Sequence, residues 1–383
     1  MTITFFSNFM NIHQLPFCEE LMKHIGAENF KFVATRQMDP DRVQMGFEDM
    51  NVTKPFVVRA YEGEAGRQEA LRLAVDSDVV IIGSAPSIYL SERMKHNKLT
   101  FKYNERILKR GDWMLFHPVL YKSIRQTFTK NKDKNFYVLC ASAYTRRDLS
   151  LYGFPKEKCF KWGYFPEMKH YSGFEQLRER KAGLKHPGVS ILWAGRLIGW
   201  KHPEVALSVA RNLQKKGVAY SMNIIGDGPL REDLEKEVNS HGLSDSVHLL
   251  GAQPHEVVLE EMEKADIFLF TSDRNEGWGA VLNEAMNAGC AVVADKNIGS
   301  VPFLIKDGVN GLTYSTGDMN GIFRAFESLM RERLLREEYG HNAWHTVNCF
   351  WNTEQATNAL FELIDNITGG DAITPIEGPC SYA

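Results

Sequence analysis

Residues 271–295 read T-S-D-R-N-E-G-W-G-A-V-L-N-E-A-M-N-A-G-C-A-V-V-A-D. An apolar run, D-I-F-L-F over 266–270, leads into the stretch, and a second, C-A-V-V-A over 290–294, closes it. Short apolar runs bounded by polar, Gly-bearing turns read as buried strands. Between them a turn over 272–279 opens a helix predicted over 280–288. That helix stops at Gly289, the small residue favoured just past a helix end. Strand, turn, helix and strand in this order make a parallel α/β unit, whose ligands bind at loops leaving the C-terminal ends of strands. The N–H groups of Gly277, Trp278 and Gly279 would meet a ligand at the positive end of the helix dipole, which suits a phosphate or a hydroxyl-rich group. Glu276 lies in the turn, and Glu284 follows about one turn into the helix, with Ala285 and Ala288 leaving room around it.

The rest of the chain sets bounds on this reading. It has 383 residues, 44% hydrophobic and 24% charged, with a net charge of −3. That length predicts two domains with ample core in each. The near-neutral balance argues against a general nucleic-acid binder. Six cysteines without C-x-x-C spacing read as reduced thiols rather than a disulfide frame or zinc site. No apolar run approaches the roughly 18 residues that span a bilayer. The start, M-T-I-T-F-F, has no basic segment and reads as a first strand rather than a signal peptide. A cytoplasmic location is therefore expected.

In the first half, apolar runs over 2–9, 29–35, 56–61, 78–83, 99–103, 136–141 and 160–165 alternate with helical patterns, which predicts a parallel α/β domain over 1–170. Its first loop, S-N-F-M-N-I-H over 7–13, lacks G-x-G-x-x-G, which argues against a nicotinamide oxidoreductase. Asn8 and His13 in that loop are candidates for acceptor or phosphate contact, although turn-forming and helix-starting roles fit them equally. Residues 91–147 hold 14 Lys/Arg against 4 Asp/Glu, interleaved with Phe101, Tyr103, Trp113, Phe116, Tyr121 and Phe128. This is either a solvated basic face over an aromatic core or a surface that meets anionic lipid or a lipid diphosphate. A polar linker is expected over 171–188. A second domain follows over 189–352, then a helix over 353–368 crossing back to the first domain and a flexible tail over 369–383.

The second domain opens with a strand, S-I-L-W-A, and then G-R-L-I-G-W-K over 195–201. Arg196 offers a planar fork and Lys201 a point charge, a pair matched to a diphosphate. A strand over 220–225 ends in G-D-G-P, and one over 247–250 ends at Gly251.

Glu276 and Glu284 with their G-x-G and E-A-M-x-A-G surroundings, together with G-R-L and a nearby Lys, resemble the signature of retaining glycosyltransferases of the GT-B fold, family 4 (glycosyl transferases group 1). The resemblance covers 190–367 in specific motifs and the first domain in architecture only. It implies an α/β chain of two Rossmann-like domains facing across a cleft. The implied reaction moves a sugar, with retention, from a UDP- or GDP-type sugar to a hydroxyl, without cofactor or metal. The implied catalytic residues are Arg196, Lys201 and Glu276. Gly195, Gly226, Asp227, Gly228, Leu250, Gly277, Trp278, Gly279, Ala280, Val281 and Glu284 would bind the nucleotide sugar. Asn8, His13, Asn104 and Glu105 would lie on the acceptor side. The implied partners are the donor and a saccharide or lipid-linked saccharide acceptor, in bacterial surface polysaccharide or glycolipid assembly; on the lipid reading of residues 91–147 the chain would also meet the inner face of the membrane peripherally, and its charge balance leaves nucleic acid out. Two features depart from the family pattern. Gly299-Ser300 and Pro302-Phe303 stand where Gly-Gly and Pro-Glu are usual, and the fifth strand of the first domain ends in K-Y-N-E-R over 102–106, without the common His. A sugar-nucleotide epimerase or hydrolase of the same fold is the alternative activity, and a non-catalytic carbohydrate binder would not need both Arg196 and Lys201.

Overall fold

In the computed structural model, residues 1–38, 48–184, 188–369 and 377–383 are described. Parts of three expected segments fall outside them: 39–47 in the first domain, 185–187 in the linker, and 370–376 in the tail. The chain divides into two compact units, Met1–Glu167 with Asn352–Ala383, and Met168–Trp351.

The first unit holds seven strands: β1 Ile3–Ser7, β2 Phe30–Ala34, β3 Val57–Arg59, β4 Val79–Ile82, β5 Thr100–Asn104, β6 Phe136–Cys140 and β7 Cys159–Lys161. They pair in the order β3-β2-β1-β4-β5-β6-β7, all parallel. β1 and β4 are buried along their whole length, as a parallel sheet covered on both faces requires. The strand order reverses at β1 and β4, so the loops after Ser7 and Ile82 diverge and open a crevice at their C-terminal ends. The helix Thr353–Gly369 packs on the helix Leu15–Ile25, with His24 Nε2 3.0 Å from Asn358 Oδ1 and the His24 ring stacked on Phe361 at 5.4 Å.

The expected flexible tail needs correction at its end. Cys380 N–H donates to the Lys161 carbonyl at 2.8 Å, Lys161 N–H donates to the Ser381 carbonyl at 2.7 Å, and Tyr382 stacks on Phe160 at 5.5 Å. The last residues thus cover the open edge of β7, where unpaired backbone groups would otherwise face water.

The second unit holds β8 Val189–Ala194, β9 Tyr220–Ile225, β10 Val247–Gly251, β11 Ile267–Phe270, β12 Ala291–Asp295 and β13 Leu312–Tyr314, in the parallel order β10-β9-β8-β11-β12-β13. Its switch point lies between β8 and β11, which pair through Ile267 with Ile191 and Phe268 with Leu192. The helix Glu204–Lys215 buries Ala206, Leu207, Val209, Ala210 and Leu213, a stripe at helical period that seats it on the sheet. Both units are therefore doubly wound, Rossmann-like α/β domains.

Part of the expected linker is not linker. Phe174–Gly183 is a helix of the second unit, and Leu177 on it is fully buried. Its polarity has a structural use. Lys181 Nζ donates to the carbonyls of Ala265 at 2.7 Å and Ala288 at 3.0 Å, and Arg180, with Lys169 and Tyr171 before the helix, bonds the buried Glu263 carboxylate. A charged sequence that reads as solvated linker is here spent on carbonyls and on a buried acid.

Candidate active site

Because β8 and β11 are neighbours, the loops that leave their C-terminal ends meet. Trp193 Nε1 in β8 donates to Thr271 Oγ1 at 2.7 Å, and that hydroxyl donates to the Lys201 carbonyl at 2.6 Å. Asp273 N–H donates to the Trp200 carbonyl at 3.0 Å. These bonds fasten the G-R-L-I-G-W-K loop to the turn after β11, and they bring the Lys201 ammonium onto the Glu276 carboxylate. Both side chains of this ion pair are largely buried, 13% and 11% exposed. Ser272 Oγ donates to the same carboxylate oxygen at 2.9 Å. Arg196 is exposed, and it and Lys201 flank the Trp200 indole, at 6.0 and 4.8 Å from the ring centroid. The structure thus brings together Arg196, Lys201 and Glu276.

Gly195 N–H donates to the Ile225 carbonyl at 2.9 Å, Leu197 N–H to the Asp227 carbonyl at 2.9 Å, and Leu230 N–H to the Leu197 carbonyl at 3.1 Å. The loops after β8 and β9 are therefore stitched backbone to backbone. Gly226 has φ +138°, and a Cβ there would lie 1.8 Å from the Gly195 carbonyl oxygen, so glycine is demanded by loop packing as well as by conformation. Asp227 accepts from Gly228 N–H at 2.7 Å and faces Arg231 at 3.6 Å. Leu250 is half-buried, and its carbonyl accepts from Gln253 Nε2 at 2.6 Å.

The turn after β11 delivers the second carboxylate. The helix there is Val281–Asn287, seven residues, shorter at both ends than predicted. Gly279, at φ +82°, lets the backbone pass the Phe270 ring, which an added Cβ would meet at 2.4 Å. Gly277 is buried, and Gly279, Ala280 and Val281 are half-buried beside it. Glu284 is 8% exposed, and its Oε1 lies 3.0 Å from His255 Nε2. The Trp278 side chain belongs to the core rather than to a ligand site. It is 1% exposed, donates to Asn283 Oδ1 at 2.9 Å, and packs against Trp351 and Phe303. This cluster also accounts for the Ser300 and Phe303 departures: Ser300 Oγ donates to the Trp278 carbonyl at 2.6 Å, and Phe303 stacks on Trp351 at 5.7 Å.

Sequence reasoning missed His255 and His202. His255 follows Gln253-Pro254 and carries no local signal of its role. His202, next to Lys201, sits in the left-handed region at φ +51° and contacts Glu204 at 2.8 Å and Asp273 at 3.3 Å. The Glu204 hydrogen bond raises its imidazole above the ordinary value, against the opposing effect of burial. Among the described residues no group of three His, Cys, Asp or Glu side chains is placed to hold a metal ion.

The four acceptor-side candidates also come together, within the first unit. Asn8, His13, Asn104 and Glu105 line one cavity of about 480 Å³ at the switch point of that sheet, with Lys102 and Tyr164. The His13 ring stacks on Tyr164 at 5.9 Å, and Glu105 accepts from Tyr164 Oη and pairs with Lys109 at 2.7 Å. Lys102 points its ammonium at the Gly83 carbonyl, and burial pulls it down to about 8. It stands on β5, in the segment where the family's usual His is missing.

The six cysteines are free thiols; Cys349 is exposed and the other five are buried. No helix among the described residues is long and apolar enough to cross a membrane.

Residues 175–346 match the family "Glycosyl transferases group 1". The chain is 32% identical over 168 residues to alpha-D-kanosaminyltransferase of Streptomyces kanamyceticus, covering 44% of this chain and 42% of that one. It is 33% identical over 142 residues to an amylovoran biosynthesis glycosyltransferase of Erwinia amylovora, covering 36% and 35%. These matches thus span less than half the length of the curated relatives. In fold, it resembles Anabaena HepE, solved in complex with UDP, with a TM-score of 0.70 at 14% identity over 96% of this chain and all of that one. It also resembles sucrose-phosphate synthase from Thermosynechococcus elongatus, with a TM-score of 0.66 at 15% identity over 97% of this chain and all of that one. Over residues 175–346 the chain is thus similar to the group 1 glycosyl transferases, and as a whole it has the GT-B fold of its solved neighbours.

Proposed function

We propose that this chain moves a sugar, with retention of anomeric configuration, from a nucleotide diphosphate sugar to a hydroxyl acceptor in the assembly of a bacterial polysaccharide or glycolipid. The observation that carries the reading is the ion pair of Lys201 with Glu276 beside Arg196, at the switch point of the second sheet. Lys201 and Arg196 stabilise the charge that develops on the departing diphosphate, the role that a divalent cation plays in other sugar transferases. Glu276 and the backbone of 277–279 orient the donor sugar. Glu284 accepts hydrogen bonds from the ribose hydroxyls, with His255 holding its carboxylate in place. The relatives' names, a kanosaminyltransferase and an amylovoran biosynthesis glycosyltransferase, support sugar transfer, and the UDP in HepE supports a nucleoside diphosphate leaving group. The cavity of the first unit takes the acceptor, with Asn8, Asn104 and Glu105 presenting polar groups to hydroxyls and Lys102 a cation to an anionic part.

The test is release of nucleoside diphosphate from UDP- and GDP-sugars, with and without saccharide acceptors, in excess chelator. Acceptor-dependent release that persists with EDTA is expected. Release without acceptor identifies a hydrolase, loss of the donor without acceptor and without release identifies an epimerase, and loss of activity with EDTA restored by Mg²⁺ contradicts the metal-independent mechanism.

A further inference from the structure

Four large apolar side chains stand exposed between residues 113 and 121 of the first unit: Trp113 at 59%, Phe116 at 86%, Val119 at 73% and Tyr121 at 44%. They lie on a 3-10 turn, Asp112–Phe116, and on the helix Pro118–Thr127. Other residues already anchor this segment. Ile124 and Phe128 are buried in the core of the unit, and Met114, Leu115 and Leu120 pack against it. Tyr121 also meets the ring of the buried Tyr152 at 5.8 Å, but Trp113, Phe116 and Val119 are surplus to the packing of the fold, and exposed apolar residues so grouped along the chain mark an interaction site.

Charge selects the partner. Residues 108–132 contain Lys109, Arg110, Lys122, Arg125, Lys130 and Lys132 against Asp112 alone, six cations less one acid, or +5. Asp112 is itself paired with Arg147. Arg110, Lys122, Arg125, Lys130 and Lys132 are exposed. Lys122, Arg125, Lys130 and Lys132 line a shallow concavity with Tyr121, whose ring the Arg125 guanidinium approaches at 5.6 Å. Aromatic and aliphatic tips surrounded by cations complement an anionic bilayer surface: the rings enter the boundary of head groups and acyl chains while the cations stay at phosphate depth. A second copy of the same patch would meet its own positive charge.

We propose that residues 108–132 form a docking surface for an anionic lipid leaflet, with Trp113, Phe116 and Val119 as the inserting residues and Lys122 and Arg125 as the head-group contacts. The inference stands apart from the transferase reading, because its readout is binding and not turnover.

The test is flotation with phosphatidylcholine vesicles containing about 30% phosphatidylglycerol, against phosphatidylcholine alone. The protein is expected to float with the anionic vesicles at low salt, and its partition to fall roughly tenfold or more as salt rises from about 50 to 300 mM. Phe116→Ser should lower partition about tenfold. Lys122→Glu with Arg125→Glu should lower it at least as much, and Lys215→Glu with Lys236→Glu, the same charge change on the other unit, should not. These positions are exposed, so unchanged circular dichroism is expected for every variant. Absence of binding to anionic vesicles at low salt overturns the proposal. So does partition that neither Phe116→Ser nor the Lys122/Arg125 reversal alters. A dimer that Phe116→Ser dissolves, without any vesicle binding, overturns it too and makes the patch a self-interface.

Discussion

The Lys201 ammonium rests on the Glu276 carboxylate, though the two are 75 residues apart in sequence. Each is therefore the counter-ion of the other. Lys201→Ala should lower turnover by roughly 100- to 1000-fold, as expected when one charge partner of a transition state is lost. It should also destabilise the chain by about 2–4 kcal/mol, because it leaves Glu276 largely buried without its cation. Adding Glu276→Gln to that variant should restore most of the stability and none of the turnover. Steady-state kinetics and denaturant unfolding on the single and double variants separate the two effects, and near-normal turnover in Lys201→Ala contradicts the assignment.

Lys102 yields a pH prediction of definite sign. Its folded value, about 8, lies below the ordinary 10.5, so burial favours the neutral amine. Its contribution to stability is present above about pH 10.5 and is lost as pH falls through about 8. Lys102→Met should therefore be more stable than the parent at pH 7, by about 1–3 kcal/mol once solvent access and the lost bond to the Gly83 carbonyl are discounted. The difference should shrink as pH approaches 10.5. Unfolding curves across that range give the answer, and a constant difference contradicts it.

His202 carries the opposite sign. Its imidazole is raised above 6.5, chiefly by the Glu204 hydrogen bond, so its contribution is full below about pH 6.5 and is lost as pH rises through the folded value. His202→Asn keeps a residue that tolerates the left-handed conformation at φ +51° and removes the titration. The parent's loss of stability on the alkaline side of pH 6.5 should be smaller in this variant. An identical pH profile would show that the contacts with Glu204 and Asp273 are not felt.

Gly226→Ala tests whether the loops after β8 and β9 are as tightly joined as they stand. A Cβ 1.8 Å from the Gly195 carbonyl oxygen cannot be accommodated without moving backbone. A loss of about 3 kcal/mol or more is expected, together with weaker nucleotide binding, because Gly195 and Arg196 would shift. A mild effect in thermal unfolding contradicts it.

Much of this was legible in the sequence. Apolar runs such as V-V-I-I over 79–82 and A-V-V-A over 291–294 could only be strands buried on both faces. That Arg196, Lys201 and Glu276 lie on loops at strand ends followed from where a parallel sheet ends its strands, whereas the ion pair of Lys201 with Glu276 is a finding of the structure. Features set by tertiary contact were not legible. Phe174–Gly183 looked like solvated linker because the carbonyls that Lys181 bonds lie far away in sequence. The end of the chain looked free because nothing local shows that β7 has an open edge. Trp278 looked like a ligand contact from its place in the turn after β11, whereas its side chain turns into a cluster with Trp351 and Phe303. His255 meets Glu284, 29 residues away, and nothing near it in sequence shows that contact.

The central claim is that the second unit holds the nucleotide through Glu284 and the sugar through Glu276. Calorimetry with the bare nucleoside diphosphate on Glu284→Gln and Glu276→Gln tests it most directly. A charged hydrogen bond of the kind assigned to Glu284 contributes about 1.5–3 kcal/mol, so Glu284→Gln should weaken binding by roughly ten- to a hundredfold. Glu276→Gln should leave the affinity for the bare nucleotide nearly intact while turnover falls. If Glu276→Gln loses nucleotide affinity and Glu284→Gln keeps it, the donor lies the other way round and the account is contradicted.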